Sequence, residues 1–329
     1  MQTDEANYLK DFSRFWHPVA LTKDVGDKPV PITLLGRSLL VWRANGKVNV
    51  TGRYCAHRGT DLAVAHVESD GLRCCFHGWK YGGDGRCVHV PQIPSGASPP
   101  EKARIPSYMT TERYGLVWTC LGGEPLVPLP EWPELEADRA TAALPPLDWK
   151  TSAGRAIENF LDLAHLSWVH RGTFGNPEYT EVAPYELEWL SNGFRYHTTY
   201  PALTPPRPDG TQKSELCLGT YDLTFPFCAK VHFRPTRKSF NEHHFYLAAS
   251  PVSLDRVRGF FFVSYDKSVR GMIERFAKAE FDVQQQDRAF LEIQIDPVHR
   301  LDASAEVHCE ADKVHVEYRR GLRELISRA

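Results

Sequence analysis

Two short pairs of metal-binding residues, Cys55-x-His57 and Cys74-x-x-His77, are separated by 16 residues. Thiolates and imidazoles bind soft and borderline metals strongly, so two such loops can close around one centre. Two arrangements fit the spacing. The four residues can surround a zinc ion tetrahedrally, or they can hold a [2Fe–2S] centre with Cys55 and Cys74 on one iron and His57 and His77 on the other. In the second arrangement neutral histidines replace two anionic ligands, which raises the potential and makes the histidine-bound iron the natural electron exit. Cys75 is a further thiol, expected to pack rather than ligate, because its use would break the Cys74-x-x-His77 loop geometry. Of the eight cysteines, Cys55, Cys74, Cys75 and Cys87 fall in one region, whereas Cys120, Cys217, Cys228 and Cys309 are scattered. Clustered cysteines interleaved with histidines favour metal binding over a disulfide framework.

The chain around these pairs reads as short strands and turns. Ile32, Leu34, Leu39, Val41 and Trp42 lie in two β-like stretches joined through Gly36 and Arg37. Ala44-Asn45-Gly46-Lys47 predicts a tight hairpin, because Asn-Gly supports positive φ. A turn at residues 81–86 and strands at residues 87–90 and 114–120 complete a small all-β domain. Prolines 125, 128, 130, 133, 145 and 146 then predict a connector. Beyond Trp149 the pattern changes to a helix over residues 156–170, strand-like runs near 193–200, 216–227, 245–249 and 257–265, and helices over 272–291 and 319–326. An α+β domain with a curved antiparallel sheet is the economical reading.

With 42% hydrophobic and 24% charged residues, the chain can bury a sizeable core. Its formal charge of −2 argues against a dedicated nucleic-acid binder. No apolar run reaches the length of a membrane span. The first residues lack a basic segment followed by an apolar one, so a cytoplasmic protein is expected.

A second constellation lies at Asn159, Asp162, His165 and His170. On an ideal helix the two histidines would point about 140° apart. Both can reach one ion only if the helix is distorted, and a π-bulge or break near residues 166–168 is expected. Two histidines and a carboxylate on one face are the general donor set of a mononuclear iron(II) oxygenase.

The first motif, with its flanks Arg58-Gly59 and Gly78-Trp79, resembles the Rieske [2Fe–2S] motif of Rieske non-haem iron ring-hydroxylating oxygenases. Members of that family often carry proline after each motif cysteine, where this chain has Ala56 and Cys75. The second constellation resembles the family's catalytic signature N-x-x-D-x-x-H-x-x-x-x-H. Residues 286–294, QDRAFLEIQ, resemble its later E-D-x-x-x-x-E-x-Q helix, with Gln286 where Glu is frequent.

The resemblance implies an all-β Rieske domain within residues 1–124, a proline-rich connector over 125–148, and a helix-grip (START-like) mononuclear iron domain over 149–329. It implies cluster ligands Cys55, His57, Cys74 and His77, and iron ligands His165, His170 and Asp287, with Asp282 as the local competitor of Asp287. Asn159 would support the site. Asp162 would bridge to the Rieske centre of an adjacent subunit in a head-to-tail homotrimer. The sequence shows neither a dinucleotide fingerprint nor a plant-type ferredoxin motif. NAD(P)H-derived electrons are therefore expected through a separate reductase, with or without a ferredoxin.

The length favours homomeric members related to vanillate or dicamba demethylases, which implies O2-dependent hydroxylation or oxidative O- or N-demethylation of a small aromatic or heterocyclic compound. Aromatic cis-dihydroxylation is the second reading, and a non-catalytic Rieske electron carrier the third. Tyr196, His197, Tyr200, Phe225, Phe227, His232, His243, His244, Phe245 and Tyr246 are candidates to shape a pocket. Arg155 and Arg171 could face an acidic substrate, although surface ion pairing is the default for both.

Overall fold

A computed structural model describes residues 10–204, 210–237 and 241–327, in one unit ending at Leu126 and a second beginning at Val127. Among the described residues, the first unit contains ten strands: β1 (His17–Leu21), β2 (Val30–Leu34), β3 (Arg37–Ala44), β4 (Lys47–Gly52), β5 (His66–Glu68), β6 (Gly71–Arg73), β7 (Lys80–Tyr81), β8 (Cys87–His89), β9 (Ser107–Arg113) and β10 (Leu116–Cys120). Six form an antiparallel sheet in the order β1-β10-β9-β4-β3-β2. The Asn-Gly hairpin joins β3 to β4, with φ of 52° at Asn45 and 71° at Gly46, as an I′-type turn requires. Strands β5 to β8 form a smaller sheet inserted between β4 and β9. Its core contains Trp42, Leu62, Leu72 and Tyr81, and Cys55 and Cys74 are buried in the same cluster.

The second unit is built on an antiparallel sheet with helices packed against it. Its elements are β11 (Ala140–Ala143), β12 (Leu147–Trp149), α1 (Ala153–Leu161), α2 (Leu166–Val169), β13 (Leu187–Leu190), β14 (Gly193–Leu203), β15 (Ser214–Thr224), β16 (Cys228–Pro235), β17 (His243–Ser253), β18 (Arg256–Tyr265), α3 (Ile273–Leu291) and α4 (Lys313–Ser327). The sheet runs β11-β18-β17-β16-β15-β14-β13, with β12 also paired to β18. Helix α1 packs on β16, β17 and β18, α3 on β11 and β18, and α4 against α1. Among the described residues, no helix is long and apolar enough to cross a membrane.

Three local expectations are revised. Residues 125–148 are not wholly a connector: β11 and β12 both pair with β18, and Pro145 and Pro146 fall between them, where no ladder amide is required. The expected strand over 216–227 ends at Thr224, and β16 follows as a separate strand. The helix expected over 156–170 ends at Leu161 and resumes only as the short α2.

Candidate functional site

The two Cys/His loops share one backbone pattern. In the first, the Gly59 amide donates to the Cys55 carbonyl at 2.9 Å, and in the second Gly78 donates to Cys74 at 3.0 Å. Both glycines have left-handed φ, 69° and 73°, which a side chain would strain. The loops turn Cys55 and Cys74 inward, 3% and 2% exposed, and leave His57 and His77 only partly covered. The imidazole centroids lie 4.6 Å apart, and Trp79 stacks on His57 at 4.4 Å. Cys75 is exposed rather than packed, because the residue after an inward-pointing Cys74 turns to solvent.

Tetrahedral zinc would bring all four donor atoms within about 3.4–3.8 Å of one another, given its bond lengths. Among the described residues, the three-donor group within 4.8 Å lies elsewhere in the chain and includes none of these four. A buried, mutually interacting thiol pair and a separate, more exposed imidazole pair are the division a two-iron centre needs.

Tyr81 sets the environment of the thiol pair. The Ala56 amide donates to its hydroxyl oxygen at 3.1 Å, which leaves the hydroxyl proton for Cys55 Sγ, also at 3.1 Å. Burial and the neighbouring Cys55 push the Tyr81 hydroxyl pKa up, so it remains a donor. Hydrogen bonds to cluster sulfurs stabilise the reduced, more negative state. Tyr81→Phe is expected to lower the cluster potential by roughly 20–60 mV, one net hydrogen bond in a one-electron couple, as protein-film voltammetry would read.

The second centre depends on the break between α1 and α2. Asp162 leaves the helix with φ −76° and ψ 139°, and its carboxylate accepts the amides of Ala164 at 3.1 Å and His165 at 2.9 Å. The break therefore lies before His165, earlier than the expected position at 166–168. An Asx-type turn, rather than a π-bulge, produces it. His165 then precedes α2 and His170 follows it, with ring centroids 5.1 Å apart. Asp287, 3% exposed on the covered face of α3, places Oδ1 at 3.4 Å from His165 Nε2 and 3.2 Å from His170 Nε2. Asp282 lies around the helix, exposed and paired with Lys278 at 2.7 Å.

Tautomers follow from the partners. Asp162 Oδ2 accepts from His165 Nδ1 at 2.8 Å, and Gln286 Oε1 accepts from His170 Nδ1 at 2.8 Å. In the neutral rings both Nε2 lone pairs face Asp287 Oδ1, a buried oxygen with no hydrogen bond of its own. Three converging acceptors fit a divalent cation, and the nitrogen–oxygen donor set suits iron(II). A proton feels the same pull: burial opposes a charge on His165, but Asp162 and Asp287 outweigh it and raise the pKa to about 9. Gln286 stands where the resembling family frequently has Glu, and its amide oxygen still supplies the acceptor that orients His170.

Behind the break, Glu158 ties α1 to α4. Arg319, 1% exposed, donates to its two carboxylate oxygens at 2.6 and 3.0 Å, and His299 lies 3.0 Å from Oε1. Arg155 joins this network through Glu158 and Glu306, and Arg171 stacks on Trp168 at 4.4 Å. Neither arginine lines the cavity described below. Arg319→Met is expected to destabilise the protein by about 3 kcal/mol in urea unfolding, because the buried Glu158 would lose its two-point guanidinium partner.

A cavity of about 330 Å3 opens beside His165, His170 and Asp287, large enough for a small aromatic molecule. Phe160, Phe174, Tyr200, Phe245, Tyr265 and Phe276 supply much of its wall, and Asn159, His243, Glu280 and Gln284 are among its polar groups. Of the ten pocket candidates, Tyr200, His243 and Phe245 line it. Strand alternation turns His244 and Tyr246 to the other face, toward Glu134. Tyr196 is buried against Tyr221, Phe225 packs near Tyr318, and Phe227 is buried. His197 and His232 bond Thr220 and Glu242 outside the cavity.

Comparison with known proteins agrees with this geometry. Residues 15–109 match the Rieske [2Fe-2S] domain, and residues 149–328 match the Vanillate O-demethylase oxygenase C-terminal domain. The chain is 28% identical to methylxanthine N1-demethylase NdmA of Pseudomonas putida, over 98% of this chain and 90% of the relative. A solved structure of the NdmA QL mutant with caffeine, from Pseudomonas putida CBB5, superposes with a TM-score of 0.84 at 25% identity, covering 98% of this chain and 92% of that one. Dicamba monooxygenase bound to dicamba shares the fold, with a TM-score of 0.78 at 19% identity over 96% and 98% of the two chains. The Rieske domain implies a [2Fe–2S] cluster, and because the C-terminal domain match alone covers more than half of the chain, the chain belongs to the vanillate O-demethylase-like Rieske non-haem iron oxygenases as a terminal oxygenase of the monooxygenase and demethylase type.

Proposed function

We propose that this oxygenase demethylates or hydroxylates a small aromatic or heterocyclic compound at an iron(II) held by His165, His170 and Asp287. The observation that carries the reading is the convergence of three unshared donor atoms at the wall of a largely aromatic cavity. The cluster, held by Cys55, His57, Cys74 and His77, would receive NAD(P)H-derived electrons from a separate reductase, with or without a ferredoxin. Iron at the second site would supply O2 activation, so that a substrate methyl group is hydroxylated and the unstable hydroxymethyl product releases formaldehyde.

The chain's own residues prepare that site. Asp162 and Gln286 fix the two imidazoles, and the aromatic walls keep bulk water from the reacting group. Asn159 and His243 offer polar contacts that orient the substrate ring. The similarity to a methylxanthine demethylase supports an N-methyl heterocycle as the substrate type.

Reconstitution with a reductase tests the reading. An N- or O-methyl aromatic should give one formaldehyde per O2 consumed, with about three irons per chain. A cis-diol carrying both labelled oxygen atoms would replace it with dihydroxylation. About two irons per chain and no O2 uptake would mark an electron carrier.

Asp162 is further proposed to connect the two centres across a head-to-tail homotrimer, since its carboxylate already holds the His165 imidazole and keeps 15% side-chain exposure. Asp162→Asn is expected to slow product formation roughly 10- to 100-fold while the reductase still reduces the cluster. Single-turnover cluster oxidation, iron content and particle mass must be measured together. Wild-type transfer with both centres full would leave Asp162 a structural residue.

A further inference from the structure

We infer that Glu280 and His243 form a recognition pair that selects nitrogen heteroaromatics carrying a ring N–H and turns away aromatic carboxylates. The inference rests on the cavity being the oxygenase substrate site. Glu280 precedes Asp287 by two helical turns on α3, so both carboxyl groups lie on the same helix face, about 10 Å apart along its axis. That separation suits a planar ring system with one end at Asp287 and the other at Glu280.

His243 faces Glu280 from β17. The carbonyl of Asn241, which can only accept, takes the His243 Nδ1 proton at 2.9 Å. Nε2 is therefore the atom turned to Glu280, at 3.6 Å from Oε1. That is beyond hydrogen-bond length. In the neutral ring Nε2 is an acceptor, so two acceptors stand side by side at the cavity wall, and a donor placed between them would satisfy both. Tyr265 backs the pair, its ring stacking on His243 at 4.8 Å.

No lysine or arginine is among the described residues lining the cavity. Glu158, by contrast, is buried with Arg319 as its cationic partner, and the half-buried Glu134 is paired with Lys230. Burial pushes the Glu280 carboxyl pKa up, against the opposing pull of the His243 and His170 imidazoles. In either protonation state the group keeps an acceptor oxygen. A ligand carboxylate, by contrast, would face the Glu280 carboxyl group with no lysine or arginine of the cavity wall to offset it, which is costly. Arg155 and Arg171 cannot supply that charge, being engaged outside the cavity.

The test uses the full chain with both metal centres loaded, under anaerobic conditions at pH 7.5, titrated by calorimetry with 5-methoxybenzimidazole, 5-methoxy-1-methylbenzimidazole and 3-methoxybenzoate. The N–H compound is expected to bind about tenfold tighter than its N-methyl congener, as one buried hydrogen bond to a carboxyl group predicts, and the benzoate weakest of the three. Glu280→Leu and His243→Phe should each reduce the N–H advantage to within about twofold. Tightest binding of the benzoate by the unmodified protein would overturn the proposal, as would an undiminished N–H preference in both variants. If the variants lose their cluster spectrum and do not fold, the ranking in the unmodified protein decides. Iron content read on the same samples keeps the two readings apart: about two irons per chain would sink the oxygenase site whatever the ranking.

Discussion

Alanine at position 287 is expected to empty the mononuclear site and cut substrate oxidation by more than 100-fold, beyond the roughly 10–100-fold usual for groups that only support a ligand. Asp287 is the anion among three donors, and it is 3% exposed. Without it, two neutral imidazoles would have to hold a dication in a buried site with one neutralising charge fewer. Iron should fall from about three to about two per chain, while the reduced cluster keeps its electron paramagnetic resonance signal. Asp282→Ala is the control and should change neither quantity, because that carboxylate is exposed and paired with Lys278. Full turnover and full iron in Asp287→Ala would reject its assignment as a ligand.

Much of the fold was legible where local chemistry dictates geometry. Asn45-Gly46 announces its hairpin because the turn needs positive φ at both positions. The long β14, β15, β17 and β18 announce themselves through aromatic and β-branched residues. Strands β11 and β12 were hidden by the prolines around them, since a strand is a property of its partner: both exist by pairing with β18. The site shows the same limit. Helical periodicity foretold that His165 and His170 could not share an ion on a regular helix, but it could not locate the break. The break lies at Asp162 because that carboxylate can bond the backbone amides of Ala164 and His165 as well as the His165 ring. Asp162, Ala164 and His165 are sequence neighbours, and an Asx turn there was a local signal that could have been found. Glu280 and Gln286 offered less. Their roles arise from β17 and the α2 segment, brought to α3 only by the tertiary fold.

Serine at Cys74 or alanine at His77 is expected to remove the [2Fe–2S] centre altogether, with loss of visible colour, a fall from about three to about one iron per chain, and no reductase-driven turnover. Cys74 is 2% exposed in the core cluster that also holds Cys55, Leu62, Leu72 and Tyr81, where a serine oxygen is a poor ligand for iron and a buried hydroxyl is costly. His77 reaches the centre from a loop closed by the Gly78–Cys74 backbone bond, and its nearest ring neighbours, His57 and Phe76, cannot replace it without breaking that loop. Cys75→Ser is the informative control. An exposed thiol one residue from a ligand should be replaceable with no change in the cluster spectrum, whereas loss of the cluster there would mean that Cys75, not Cys74, is the ligand. Purification of the unmodified protein with one zinc and no iron, after iron-replete anaerobic reconstitution, would defeat the two-iron reading. The expected outcome is the opposite because residues 15–109 match the Rieske [2Fe-2S] domain and the buried thiol pair and more exposed imidazole pair divide as a two-iron centre needs.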